Sequence, residues 1–118
     1  MKFTRFEATM IRGDTEPLSI FLTEEDGKTV IPFADGDSVF FTIKKNSSDE
    51  DIEAVLQKVV TKFELDGTAY IKIEHGDTKD IDAGNYIYDV RVVKANGDVK
   101  TIIPASAFHL LQEVTNIE

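Results

Sequence analysis

Hydrophobic and polar positions alternate along much of this chain with a period of two. In Ser38-Val39-Phe40-Phe41-Thr42-Ile43, the residues Val39, Phe41 and Ile43 share one face. Ala69, Ile71 and Ile73 do the same within Thr68–Ile73, and Tyr86, Tyr88, Val90 and Val92 line up within Tyr86–Val92. Successive side chains of a strand point to opposite sides, so each run predicts a half-buried β-strand. Leu18–Leu22, Val99–Ile103 and Phe108–Val114 are further strand-like runs. One segment carries two signals. Ile52, Val55, Leu56, Val59, Val60 and Phe63 sit at helical spacing, and Ser48 with Asp51 three residues on could cap a helix there. Val55, Val59, Val60 and Thr61 are β-branched and favour a strand. A helical turn near Asp49–Glu53, followed by a strand to about Glu64, satisfies both.

Turn chemistry separates the runs. Glu25-Asp26-Gly27-Lys28, Ala34-Asp35-Gly36-Asp37, Asp66-Gly67, Asp82-Ala83-Gly84-Asn85 and Ala95-Asn96-Gly97-Asp98 all join Gly to Asp or Asn. Gly supplies positive φ, and the short carboxylate or amide bonds its own backbone. Asn96-Gly97 between two alternating runs is the strongest hairpin signal. Seven or eight strands in one domain, 1–118, predict an all-β sandwich or small barrel with one or two short helical turns. No run of long helices alternates with the strands, so a parallel α/β sheet is not expected.

Composition narrows the chemistry. Thirteen Lys and Arg against 22 Asp and Glu give a formal charge of −9. Such a surface repels phosphate, so neither nucleic acid nor an anionic membrane is an expected partner. The acidic excess lies in residues 1–90, while the last quarter is charge-balanced and apolar, as a buried terminal strand or a contact surface would be. Cysteine is absent, which removes disulfides, thiolate catalysis and Cys-based zinc sites. No apolar run resembles a signal peptide or approaches the about 18 residues of a membrane span, so an intracellular product is expected.

The remaining candidates for chemistry are sparse. Arg12-Gly13-Asp14 matches an integrin-binding tripeptide, but reads as a loop in which Asp14 or Thr15 bonds the backbone. Asp35, Asp37, Asp77, Asp80 and Asp82 could offer oxygen ligands to calcium, yet follow no recognised loop pattern. His75 has Asp77 nearby and no nucleophile, and His109 lies in an apolar run. No enzyme, metal site or cofactor is predicted. A carbohydrate- or ligand-binding sandwich is the alternative function. It needs exposed aromatics, for which Phe3, Phe33 and Phe63 are the candidates.

The stretch Asp82-Ala83-Gly84-Asn85-Tyr86 resembles the tyrosine corner of immunoglobulin-like domains, where a Tyr hydroxyl bonds the chain just upstream. Tyr86, Gly84 and Asp82, with Asn96 and Gly97 of the hairpin, are therefore the candidate structural residues. Four pieces in order then resemble small tail or baseplate proteins of phages and prophages of Gram-positive bacteria. They are Ile11–Thr15 with the Glu25-Asp26-Gly27 turn; Val39–Lys45 with Gln57-Lys58; Ile73–Thr78 leading to Ala83–Val90; and Asn96–Ile103 with Glu113-Val114-Thr115. The chain is similar in kind to the N-terminal domain of upper baseplate proteins. That resemblance implies an antiparallel immunoglobulin-like β-sandwich, a structural attachment module without catalysis. Its implied partners are other tail or baseplate proteins, or further copies of itself. Its implied location is the virion tail, after synthesis in the bacterial cytoplasm.

Overall fold

The alternating runs form strands because their β-branched and aromatic residues cover a pleated surface well. The computed structural model describes residues 1–117. In chain order the strands are β1 (Lys2–Thr4), β2 (Glu7–Ile11), β3 (Glu16–Ile20), β4 (Leu22–Thr23), β5 (Val30–Ile31), β6 (Ser38–Lys44), β7 (Leu56–Val60), β8 (Ala69–Ile73), β9 (Gly84–Val93) and β10 (Val99–Leu111). A 3-10 turn covers Asp51–Glu53, and a one-turn helix, α1, covers His75–Thr78. Six strands form one sheet in the order β1-β2-β10-β9-β6-β7, while β3 pairs with β8 and β4 with β5.

The inward residues predicted for β6, β8 and β9 are all buried. They join Ala8 and Met10 of β2, Ile20 of β3, and Phe108 and Leu110 of β10 in one apolar cluster shared by the large sheet and the β3–β8 pair. Tyr88 of β9 sits at its centre, 2% exposed, its ring 5.6 Å from Phe41 and 5.9 Å from Phe108. Its hydroxyl donates to the carbonyl of Phe6 and ties the central strand to the β1–β2 turn.

Four features differ from the sequence expectation. First, the sheet is not wholly antiparallel, because β2 and β10 run parallel, with Phe108 opposite Ala8 and Leu111 opposite Ile11. A parallel pair needs a long crossover, and nearly the whole chain lies between these two strands. Second, β1 and β2 carry no turn signal. Their two-residue connection places Arg5 at φ 55°, a conformation that sequence reading assigns to Gly or Asn. Third, the two strands expected after Asn96-Gly97 are one, β10, of 13 residues. It passes Pro104 with register shifts at Thr101/Ile103 and Ile103/Ser106, since Pro lacks the N–H that a regular ladder needs. Fourth, the 3-10 turn starts beyond Ser48, and its opening N–H, that of Glu50, donates to the Glu53 carboxylate at 3.0 Å. A strand follows the turn as expected, but it ends at Val60 and not near Glu64.

Three turns repeat one design: Glu24–Gly27, Glu64–Gly67 and Lys94–Gly97. In each the Gly N–H donates to the carbonyl three residues back, at 2.9 Å in all three. In each the preceding Asp or Asn accepts an N–H from the chain beyond the Gly: Asp26 from Lys28, Asp66 from Thr68 and Asn96 from Asp98. The Asn96-Gly97 connection is therefore a type I turn closed by a glycine bulge, not a two-residue hairpin.

Two of these glycines separate conformational strain from crowding. Gly97 (φ +94°) has open space around its Cα, whereas a Cβ on Gly67 (φ +84°) would lie 2.2 Å from the Pro32 side chain. Gly97→Ala should cost about 1–2 kcal/mol of left-handed strain. Gly67→Ala should add overpacking of about 1–3 kcal/mol to a similar strain. Urea unfolding of the two variants measures the difference, and equal losses would contradict the Pro32 contact.

Burial pushes the Tyr88 phenol up to about 12. The folded state thus favours the neutral phenol, and this contribution is complete below the ordinary pKa near 10 and lost as pH rises towards about 12. Tyr88→Phe should cost about 1–3 kcal/mol at pH 7, by leaving the Phe6 carbonyl without its donor. It should also remove the part of the alkaline stability loss that Tyr88 causes, read as a shrinking wild-type minus variant difference between pH 10 and 12.

Candidate functional site at the outer face of the large sheet

The predicted structural residues fall at two places and not one. At the start of β9, the Tyr86 hydroxyl donates to the Asp82 carbonyl four residues upstream. Gly84 opens the strand between them. Lys45 lies 4.8 Å over the Tyr86 ring and donates to the Asn85 carbonyl at 3.1 Å. Burial, followed by the Asp82 carboxylate, raises the Tyr86 phenol. Asn96 and Gly97 stand at the other end of β9, roughly 30 Å away at a strand's rise per residue. The corner pins the crossover from β8, and the hairpin pins the turn into β10. Together they form no common site.

Arg12-Gly13-Asp14 is not a free tripeptide. Arg12 grips the Glu113 carboxylate at 2.8 Å from Nη2 and 3.1 Å from Nε, and donates from Nη1 to the Ile81 carbonyl at 3.2 Å. The Gly13 N–H donates to Thr78 Oγ1 at 2.8 Å, and the Gly13 carbonyl accepts from His75 Nδ1 at 2.6 Å. The holding groups are thus the Arg12 side chain and the Gly13 backbone, not Asp14 or Thr15 as expected. The pairing raises the Arg12 guanidinium and lowers the Glu113 carboxyl, chiefly through their hydrogen bond.

The other candidate groups are likewise committed to structure. Asp37 is buried, pairs with Lys94 at 2.7 Å and accepts the N–H groups of Ala34 and Ala95, both at 3.0 Å. Asp77 pairs with Lys58 at 2.7 Å and accepts the Glu74 N–H at the head of α1. His109 stands on β10 between Asn85 Oδ1, 2.8 Å from its Nδ1, and the Glu7 carboxylate at Nε2, bridging β9 and β2. Among the described residues no cluster of three His, Asp or Glu could hold a metal. Phe33, expected to be exposed, is 4% exposed and stacks on Phe63 at 5.2 Å, so only Phe3 of the three proposed aromatics stands in solvent.

The region sequence reading missed is the outward face of β6, β7, β9 and β10. The register places residues there in rows. Val59, Phe40, Arg91 and Thr101 form one row, and Gln57, Thr42 and Asp89 the next. The second row is low at Thr42 and Asp89, with Gln57 donating to Thr42 Oγ1 at 3.0 Å from its far side, and where β10 bulges beside it the small Ala105 stands next to Asp89. A groove of about 370 Å³ results, floored by Thr42 and Asp89 and walled by Phe40, Arg91 and Val93 on one side and Ile87 and Lys44 on the other. Lys44 is held by Asp51 at 2.8 Å. The side chains of Asp89 and Arg91 have no hydrogen-bond or ion-pair partner among the described residues. Burial raises the Asp89 carboxyl, against the pull of Arg91 and Lys44.

Fold and site define an all-β protein whose clustered polar groups are used to hold turns and whose outer sheet face is left open. No protein-family model matches the chain, and no curated protein matches it. No helix among the described residues is long and apolar enough to cross a membrane.

The sign at Asp89 is testable. A carboxyl raised in the fold opposes folding when ionised, and this penalty disappears as pH falls through the raised value towards the ordinary one near 4. Asp89→Asn should therefore melt higher than wild type at pH 7, with a difference that narrows on acidification. A variant that melts lower at pH 7 would show that Arg91 and Lys44 outweigh the burial.

Proposed function

We propose that this chain is an immunoglobulin-like β-sandwich acting as a non-catalytic attachment module of a phage or prophage tail or baseplate. The strand arrangement supports the fold. A triplet β6-β9-β10 with β7 beside β6, facing a β3–β8 pair, follows the arrangement of variable-type sandwiches. The Tyr86–Asp82 bond lies where the chain crosses from the smaller sheet to the larger, the place of a tyrosine corner.

One observation carries the attachment reading. Of thirteen exposed large apolar side chains among the described residues, six lie in the terminal segments: Phe3, Phe6, Ile11, Leu111, Val114 and Ile117. Ile11 and Leu111 are register partners on adjacent strands, so these two lie side by side. β1, which pairs with Glu7–Thr9 further along β2, is an outer edge of the sheet with unpaired backbone groups. An exposed apolar pair near an open edge suits a protein partner, by side-chain docking or by strand addition. The carbohydrate-binding alternative loses support with the burial of Phe33 and the stacking of Phe63.

Antibody raised against the purified chain should label the tails, and not the heads, of particles induced from a lysogen that carries this gene. Ile11→Asp and Leu111→Asp should fall away from purified particles while unfolding within about 1 kcal/mol of wild type, as exposed positions do. Particles without the wild-type protein would refute the reading. A rise in melting temperature with cell-wall glycans would favour the alternative.

A further inference from the structure

The outer face of the large sheet is complementary to itself. Asp89 and Arg91 are two residues apart on β9, on one side of the strand and of opposite sign, and neither side chain has a partner among the described residues. We infer that a second copy of this chain packs on this face about a two-fold axis. The axis lies in the contact plane and crosses β9 at Val90, so Asp89 of each copy meets Arg91 of the other. This inference stands independently of the tail reading and of the terminal apolar pair.

The geometry follows from the register. An in-plane axis at right angles to the strands reverses positions along them and leaves each strand facing its own counterpart. The tall row containing Phe40 and Arg91 then lies on the low row containing Thr42 and Asp89 of the other copy. Phe40 enters the groove of the opposite sheet, and Arg91 reaches the half-buried carboxylate at its floor. One row further out on each side, Ile87 meets Val93. An isologous contact requires each patch to fit itself, and these rows alternate in height, charge and polarity to do so. An axis parallel to the strands would instead oppose Asp89 to Asp89 and Arg91 to Arg91.

Charge selects this face over others. The chain carries −9 overall, and two copies repel one another over most orientations. Along the contact rows Asp89 balances Arg91, and Lys44 is neutralised by Asp51. Four strands by about seven residues give a footprint of roughly 450 Å² per copy. That lies at the low end of specific interfaces, so the dimer should be weak and concentration-dependent.

Sedimentation velocity over a wide concentration range tests the inference. Wild type should pass from monomer to dimer. Arg91→Asp alone and Asp89→Arg alone should each stay monomeric, because each copy then presents two like charges to its twin. An equimolar mixture of these two variants should regain a dimer, since 89 of each then faces 91 of the other with opposite sign. Melting curves identify the folded variants; should Asp89→Arg misfold, Asp89→Lys takes its place in the mixture. A wild type that stays monomeric throughout, single variants that dimerise as wild type does, or a mixture of folded variants that fails to associate would each overturn the inference.

Discussion

The two-residue period of β9 governs both sides of this molecule. Tyr86, Tyr88, Val90 and Val92 turn inward, and Ile87, Asp89, Arg91 and Val93 turn outward. A slip of one residue would bury Asp89 and Arg91 and expose two tyrosines, so the register is strongly specified. Neighbouring strands are aligned by it. The pairing of Phe41 with Val90, and of Thr42 with Asp89, follows once β9 is placed. Tyr88 makes the placement unique, because its hydroxyl has a single backbone acceptor, the Phe6 carbonyl, while its ring fills the space between Phe41 and Phe108. A Phe there would fill the space and lose the direction.

The ends of β9 are held by different physics. At its start the Tyr86–Asp82 bond closes a short loop on itself, and the Arg12–Glu113 and Gly13–Thr78 contacts draw the β2–β3 turn and the residues after β10 onto the same corner. At its end Lys94 and Ala95 give a charge and an N–H to Asp37 from the turn before β6. Asp37 is buried with a cation and two backbone donors, the condition under which an ionised carboxylate is tolerated in a core. Its carboxyl is lowered despite a desolvation cost that is its largest single influence. Both termini of the central strand are thus cross-linked without a disulfide, in a chain that has no cysteine.

What the sequence displayed and what it concealed divide along physical lines. Strands with alternating apolar residues and Asx-Gly turns were readable, because period and turn chemistry are local properties. β6, β8 and β9 appear with the expected inward faces, and the Asp49–Glu53 region forms a turn ahead of β7. β1 and β2 were hidden because Arg5 occupies a turn position without the usual residue type, and because β2 buries only the small Ala8 and the flexible Met10. β10 reads as two strands in the sequence because Pro104 signals a break, which two register shifts absorb in the fold. The burial of Phe33 is not legible in the sequence because it depends on Phe63 and on Pro32 lying under Gly67, contacts between residues some thirty positions apart. The outer groove was invisible for the same reason. Phe40, Thr42, Asp89 and Arg91 are ordinary outward residues until two registers align them.

The acidic composition takes on a specific meaning once each carboxylate is located. Asp26, Asp37, Asp49, Glu53, Asp66 and Asp77 each accept a nearby backbone N–H, and so convert negative charge into turn geometry. Such bonds favour the ionised form, in accord with the lowered carboxyl of Asp66; Asp26 is lowered chiefly by the Thr29 hydroxyl and then by backbone N–H groups, and Asp77, against the cost of its burial, by Lys58 and then by the Glu74 N–H. Asp89 is the opposite case: it is partly buried, accepts no local N–H and has a raised carboxyl. A turn-forming role would leave a carboxylate solvated and bonded, and a core role would give it a fixed cation, as Asp37 has in Lys94. Asp89 has the desolvation of the second without the partner. A cation supplied from outside the chain completes that arrangement, and the face that holds Asp89 also offers, in Arg91, the cation a second copy would bring.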